Sequence, residues 1–457
     1  MTRYFKIYFF SFIFYLPGIF FSHNAYSQRR FDDEDDTYFE QETGIEQSDS
    51  SQIQSDEDDL FKDSTLTLGY QFSFGTDQPA EVIDHNTYLR IEFDRLVYEN
   101  LFIKFDGKAH AHLSPDHMAT AENETIFFTD TLRQAYIQAG FEDFSLTFGN
   151  QVHIWGKSDT AAITDVLSPR DASRFIFTKL EDARFGQPMI SANLYFSGAS
   201  TFIFVSPLPQ TDREPEYNSR YFRELSGIQN VTLYEDKLKF GDLESGFKID
   251  KTIQKTDFSF MGGRFFSNAA IYDDKNLIIE SKPVIEKTYP NYLMAGAAAT
   301  HVWGNFIYKF ETAFKHQFPL QGMTPSGIYS LEKRNLVDAG IGIEYNANDR
   351  YQMSLELSGR HIFSPGNNLA AGTDQNSKAL YYTFSKDYLN STLLFEYIFY
   401  YHFDENNTFH QVEITYDLTD TIELVLNYTM LHANDPNSLL WQYRNEDRAG
   451  IEIKSYF

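Results

Sequence analysis

No cysteine occurs anywhere in the 457 residues, so disulfide staples and thiolate metal sites are both excluded. Basic residues are scarce: 38 Lys and Arg stand against 65 Asp and Glu, giving a formal net charge of −27. Nucleic-acid binding needs clustered cations to displace phosphate counterions, and this chain does not supply them. After residue 27 no apolar run approaches 18 residues, so no transmembrane helix is expected there. Nothing resembles a phosphate loop or a dinucleotide fingerprint. What is abundant is aromatic: 44 Phe and 30 Tyr bring that class to 17%, although the mean hydropathy is −0.42. A soluble core of this size draws mainly on Leu, Val and Ile. Many aromatics with a polar average fit a membrane barrel instead, whose strands turn apolar side chains to lipid and polar ones to a wet lumen.

The first 27 residues read as a secretory signal. Arg3 and Lys6 form a basic start, Ile7 to Phe21 is apolar, and Ala25-Tyr26-Ser27 offers small residues at the two positions a signal peptidase reads. Cleavage is expected before Gln28. Residues 28–63 follow with 14 Asp and Glu against Arg29, Arg30 and Lys62. So acidic a segment with few apolar residues cannot offset its ordering entropy, which predicts a disordered periplasmic arm. Two roles fit it: docking of a partner or cations, or simple solvation.

From residue 64 the side chains alternate. In Phe306 to Phe318 the even set is Phe306, Tyr308, Phe310, Thr312, Phe314, His316 and Phe318, against Lys309, Glu311 and Lys315 on the odd face. Between Tyr351 and His361, Met353, Leu355 and Leu357 oppose Ser354, Glu356, Ser358 and Arg360. The last strand sets Ile451, Ile453 and Phe457 against Glu452 and Lys454. Successive strand residues point to opposite faces, so each segment has one greasy and one polar face. The segments run roughly 10 to 13 residues, the length a tilted strand needs to cross a bilayer. Short connections such as Glu142-Asp143 and Gly304-Asn305 alternate with long ones at 113–129, 156–188, 209–243, 268–290 and 364–378. The expectation is an all-β transmembrane antiparallel barrel over 64–457, of about 18 strands within a range of 16–20, in a Gram-negative outer membrane. Its long loops lie outside the cell. Outer-membrane lipid is its surroundings, and the barrel assembly machinery is expected to read Phe457.

The densest polar stretch is the connection 156–188, long enough to be functional. It is predicted to fold into the barrel and narrow it, with one short helix over Ala172–Leu180. Lys157, Asp159, Asp165, Arg170, Asp171, Arg174, Lys179, Glu181, Asp182 and Arg184 are the candidate constriction residues. They either line the passage or pair with one another to fix the loop; both are compatible.

The stretch from about Leu132 to Pro209 resembles a family of uncharacterised proteobacterial outer-membrane proteins. The match rests on Trp155-Gly156, Asp165 with Ser168-Pro169-Arg170-Asp171, Leu180-Glu181-Asp182-Ala183-Arg184, and Pro188. The resemblance implies a barrel often encoded beside exporters of the resistance–nodulation–division (RND) type, with lipid-like cargo, and it brings no catalytic residues. The chain departs from the family in being short and in carrying the acidic arm.

Two smaller constellations compete for chemistry. His110 and His112 share the lumen face of one strand, with Asp116 and His117 beyond; three imidazoles so placed could hold Zn or Cu, but a polar lumen wall near the outer rim is the favoured reading. A barrel hydrolase needs a nucleophile within reach of a His. His153, or His361 with Ser364, are the candidates, but neither sits in a motif. No cofactor and no enzymatic activity are expected. The sequence thus points to a porin-like channel for small or lipid-like solutes, with coupling to an inner-membrane exporter as a further expectation. A structural or adhesin barrel with partner-binding loops is the alternative.

Overall fold

The computed structural model describes residues 64–77, 81–113, 126–159, 161–178, 182–215, 219–222, 232–279, 282–323, 328–347, 350–370, 373–436, 438 and 440–457. The expected leader over 1–27 and acidic arm over 28–63 lie outside them.

The alternation decides the architecture. In the strand Gln352–Ile362, Ser354, Glu356, Ser358 and Arg360 are buried, while Leu355 and Leu357 are 45% and 41% exposed. A strand whose apolar side chains face outward needs lipid there. Eighteen strands repeat this rule. They are β1 (Ser64–Gly75), β2 (Val82–Tyr98), β3 (Leu101–Leu113), β4 (Ile126–Gly140), β5 (Phe144–Gln151), β6 (Gln187–Phe196), β7 (Ala199–Ser206), β9 (Glu244–Ile253), β10 (Thr256–Phe266), β13 (Asn291–Trp303), β14 (Phe306–Met323), β15 (Tyr329–Asn346), β16 (Gln352–Ile362), β17 (Asn376–Tyr388), β18 (Leu393–His402), β19 (Asn407–Thr419), β20 (Ile422–His432) and β21 (Arg448–Tyr456). Each pairs antiparallel with the next in this order, and β21 returns to β1 with Tyr70 opposite Ile453. Closure leaves no sheet edge in lipid, where each unpaired peptide group would cost several kcal/mol. The fold is therefore a closed 18-stranded antiparallel outer-membrane-type barrel. Short turns collect at one end and long connections at the other, the asymmetry of periplasmic and outer faces.

The wall is uneven. β14 and β15 have 18 residues each, whereas β5 and β7 have 8. β14 runs past the alternating span 306–318 because a bulge breaks the phase. Pairing shifts between Lys315 and Phe318, and Gln317 takes a positive φ of 55°. Phe318, counted with the lipid-facing set, is consequently turned inward and is 8% exposed. One extra residue flips every side chain beyond it.

The long connections carry structure the alternation does not reveal. β8 (Thr232–Glu235), β11 (Ile271–Ile279) and β12 (Lys282–Thr288) form a separate sheet, with β12 antiparallel to β11 and parallel to β8. It stands on the tall wall: Gln321 binds both the amide and the carbonyl of Tyr272, and Leu331 donates its amide to Asp273.

The largest cluster of buried apolar side chains lies inside the barrel. Phe202, Phe204, Phe265, Met294, Leu320 and Tyr381 from the wall pack with Trp155, Ile163, Leu167 and Phe175 from the connection between β5 and β6. A porin-like wall that buries apolar residues on its inner face must have something to bury them against. That something is the inserted connection.

Candidate functional site

β5 ends at Gln151 rather than at the expected residue 155, and the chain then turns into the lumen. Trp155 explains the turn. Its ring is 1% exposed and lies edge-on to Phe202, Phe204 and Phe265, at centroid distances of 6.4, 5.7 and 5.6 Å. Each aromatic pair contributes about 0.5–1.5 kcal/mol beyond its area. Gly156 follows because a Cβ there would sit 3.1 Å from Glu311 Oε1, and the backbone must come that close.

The first half of the insert is held by carboxylates of the far wall. Glu311 on β14 accepts the amides of Lys157 (2.7 Å), Ser158 (2.9 Å) and Thr164 (2.7 Å), and the Thr164 hydroxyl (2.6 Å). Glu356 on β16 accepts the Ser158 hydroxyl (2.6 Å) and the Asp159 amide (3.0 Å). Lys309 bridges Asp159 and Glu344, the latter at 2.9 Å. Burial pushes the Asp159 carboxyl up to about 6, against the pull of Lys309.

The second half is held by ion pairs. Asp165 takes Arg184 at 2.7 Å and Arg170 at 3.0 Å. Burial alone would raise this carboxyl, but the two guanidiniums outweigh it and hold it below the usual range. Asp171 donates its amide to Ala183 (2.7 Å) and Phe185 donates to Pro169 (2.8 Å), closing the segment on itself. The β7–β9 connection joins it, since Asp212 accepts the Arg170 amide and Arg213 pairs with Asp171 at 3.5 Å. The near wall contributes Asp84 to Arg174 (3.0 Å) and Lys108 to Asp182 (2.7 Å). Lys108 and Arg90 overcome burial and keep the Asp182 carboxyl well below its ordinary value. Of the expected helix over Ala172–Leu180, the described residues form one 3-10 turn, Phe175–Phe177. Phe175 has φ 57° and stacks on Tyr443 at 4.0 Å, so tertiary packing overrides helix propensity. Arg448 lies 3.5 Å over the Phe177 ring and donates to the Tyr221 hydroxyl at 2.6 Å.

Among the described residues, two sizeable cavities flank the insert. The outer one, about 370 Å³, is lined by Asp84, Lys108, Asp171, Arg174, Asp182 and Arg448 among others. The one toward the short turns, about 330 Å³, is lined by Lys157, Asp159, Lys309, Glu344, Ser354 and Glu396 among others. Ile398 on β18 lines both, so the two cavities approach each other at that wall. The outer cavity carries 5 Lys and Arg against 6 Asp and Glu, so it is nearly balanced. The inner one carries 2 against 4, a net negative surface.

The ten candidate residues divide accordingly. Lys157 and Asp159 line the inner cavity, and Asp171, Arg174 and Asp182 the outer one. Asp165, Arg170 and Arg184 brace the loop and line neither. Lys179 and Glu181 lie outside the described residues. His110 and His112 line the outer cavity, with ring nitrogens at Asn86 (3.2 Å) and Thr129 (3.0 Å); Asp116 and His117 lie outside the described residues. The rings of His153 and His361 meet Gln151 (3.0 Å) and Asn376 (2.7 Å). Residue alternation put Glu311 and Glu356 on the lumen face, but it carried no sign that they anchor a loop some 150–200 residues away. Arg213, Tyr221, Tyr443 and Arg448 gave no signal at all.

Three solved outer-membrane barrels share the fold. OccAB1 of Acinetobacter baumannii superposes with a TM-score of 0.52 at 11% identity, over 86% of this chain and 96% of that one. OccK8 (OprE) of Pseudomonas aeruginosa gives 0.52 at 8% identity, over 86% and 97%. OccAB2 of Acinetobacter baumannii gives 0.51 at 10%, over 86% and 97%. No family model matches the chain, and no curated protein matches its sequence. At these identities the likeness carries the architecture alone: a closed barrel of the outer-membrane porin type.

Proposed function

We propose that this barrel is a narrow outer-membrane channel for small solutes, with passage controlled by the insert 152–186. One observation carries the reading: the insert is latched to both walls and leaves polar cavities on either side, both lined by Ile398. A purely structural barrel has no need for two charged chambers in line. The mechanism is diffusion past fixed charges, with selectivity set by the chamber walls. The inner chamber's acidic excess favours cations over anions. Lipid-like solutes, and coupling to an RND-type exporter, belong to the same proposal and rest on the resemblance around residues 132–209. Recognition of the exposed Phe457 by the assembly machinery is proposed with them; its amide and carbonyl pair with Leu66 on the closing seam.

Single-channel recording in planar bilayers tests this. Discrete steps with a cation-selective reversal potential are expected. Deleting 157–187 raises the step size; an unchanged step size places the loop outside the path. A silent wild-type barrel favours the second reading, a structural or adhesin barrel. The outer sheet speaks for that one, because Tyr234 and Ile278 are 54% and 74% exposed.

A further inference from the structure

The wall has a seam. β4 pairs with β5 only from Ala135 to Gly140, six residue pairs. Above them, residues 126–134 keep β3 on one side and have no strand on the other among the described residues. At roughly 2.5 Å of height per tilted residue, pairing stops about 15 Å above the short turns, inside an apolar band about 25 Å tall. Neighbouring β5 and β7, at 8 residues each, fall short of the roughly 9–11 that a full crossing takes. An open sheet edge at this depth is what a barrel exists to avoid.

The edge is closed by side chains and by the backbone of Gly186, where a Cβ would sit 2.3 Å from the Arg133 carbonyl oxygen. Asn150 donates to the carbonyls of Leu132 (3.2 Å) and Arg133 (3.1 Å), and Arg213 donates to the carbonyl of Asp130 (2.9 Å) and to the Thr131 hydroxyl (3.1 Å). The contacts to Asp130 and Leu132 are exposed. Side-chain latches rearrange by rotamer changes in nanoseconds, whereas a strand ladder must unzip.

The outer cavity runs to this edge. It is lined by Phe128 and Asp130, in the outward phase of β4, and also by Thr129, Thr131 and Arg133, in the inward phase. The lining follows the unpaired length of β4 and includes Arg213, whose side chain is 37% exposed and holds the Asp130 carbonyl. Outside, the rim is apolar: Phe128, Leu132 and Phe148 are 72%, 45% and 67% exposed. Inside, it is polar, with Lys108, Arg133, Asp171 and Asp182. The gradient from apolar to polar runs along the wall, not the barrel axis.

We propose that the β4–β5 seam is a lateral portal through which an amphiphile from the outer leaflet places its polar head in the outer cavity while its apolar part stays in lipid. The occupant is a bilayer lipid or a molecule of the same build. This rests on the channel reading, because it gives the outer chamber a second entrance and names the class that uses it. Charged pairs of both signs at the inner rim suit a zwitterionic or hydrogen-bonding head better than a strongly anionic one.

The absence of native cysteine makes the test direct. Single-cysteine variants Thr131→Cys at the seam, Thr383→Cys on the lumen face of the fully paired β17, and Phe128→Cys on the lipid face are labelled with bimane. Each is reconstituted into vesicles of phosphatidylcholine brominated on its acyl chains, with iodide as the aqueous quencher. The expected result is quenching of the Thr131 site by both bromolipid and iodide, of the Phe128 site by bromolipid, and of the Thr383 site by iodide only. A Thr131 site that behaves like the Thr383 site overturns the portal. Adding Arg213→Ala and Asn150→Ala to Thr131→Cys should raise its bromolipid quenching severalfold; no change overturns the latch. Conductance in the same preparation separates the two readings. Steps without lipid quenching sink the portal and leave the channel, while quenching without steps sinks the channel and leaves the portal.

Discussion

The wall and the insert are held by different physics. The wall repeats one bond type along 18 strands, so its stability is spread and no single residue decides it. The insert concentrates its hold on a few carboxylates: Glu311 alone accepts four hydrogen bonds from it, and Asp165 gathers two guanidiniums. Distributed stabilisation tolerates substitution, provided each residue keeps to its face. Concentrated stabilisation lets one substitution free a whole segment.

Glu311→Ala breaks the comparison most sharply. A hydrogen bond to a charged group contributes about 1.5–3 kcal/mol, so losing four together exceeds the cost of turning one charge toward lipid. The barrel still forms, since the β13–β14–β15 ladders do not depend on this side chain. Conductance is expected to rise severalfold and residues 156–164 to become open to protease. An unchanged conductance would show that the aromatic packing of Trp155 suffices to hold the insert.

Next comes the wall. Leu355→Arg places a charge in lipid at a cost of about 2–4 kcal/mol, whereas Ser354→Arg places it in the inner cavity. The fraction of heat-modifiable band on unboiled gels should fall for the first and hold for the second. Equal folding of both would mean that this strand's two faces are interchanged.

Arg184→Ala is smaller, because Asp165 keeps Arg170 at 3.0 Å. The loss of one charge-assisted bond is about 1.5–3 kcal/mol, and it is local. Current noise should increase with little change in mean conductance; silence in the noise would assign Arg184 to no brace.

The smallest effect is a titration. With its carboxyl raised to about 6, Asp159 is charged at pH 7 and largely neutral at pH 5. Protonation removes a negative charge from the inner chamber, so cation preference declines as pH falls through that window. Asp159→Asn should give the low value at both pH values. A wild-type preference that stays flat from pH 7 to 5 would remove Asp159 from the path.

Much of the wall was legible because period-two alternation is a local signal, renewed every strand. Lipid outside and a wet lumen inside force it on residues such as Ser354 and Leu355 independently of their partners. It failed where a bulge changed the phase, as at Gln317, and where strands had no lipid face, as in β11 and β12. The polar density of 156–188 likewise marked the connection that packs inside the barrel, and five of its candidates line a cavity.

The sequence by itself determined the barrel, its strand faces and which connection enters it, since each follows from local pattern and length. The tertiary structure alone decided which charges line a chamber and which are spent as braces. Asp159 meets Lys309, and Asp182 meets Lys108, across gaps of 150 and 74 residues. It also decided that the wall stops pairing at Ala135. Such juxtapositions depend on barrel closure, strand stagger and the depth of the insert, and none of these is written in the pattern of any single strand.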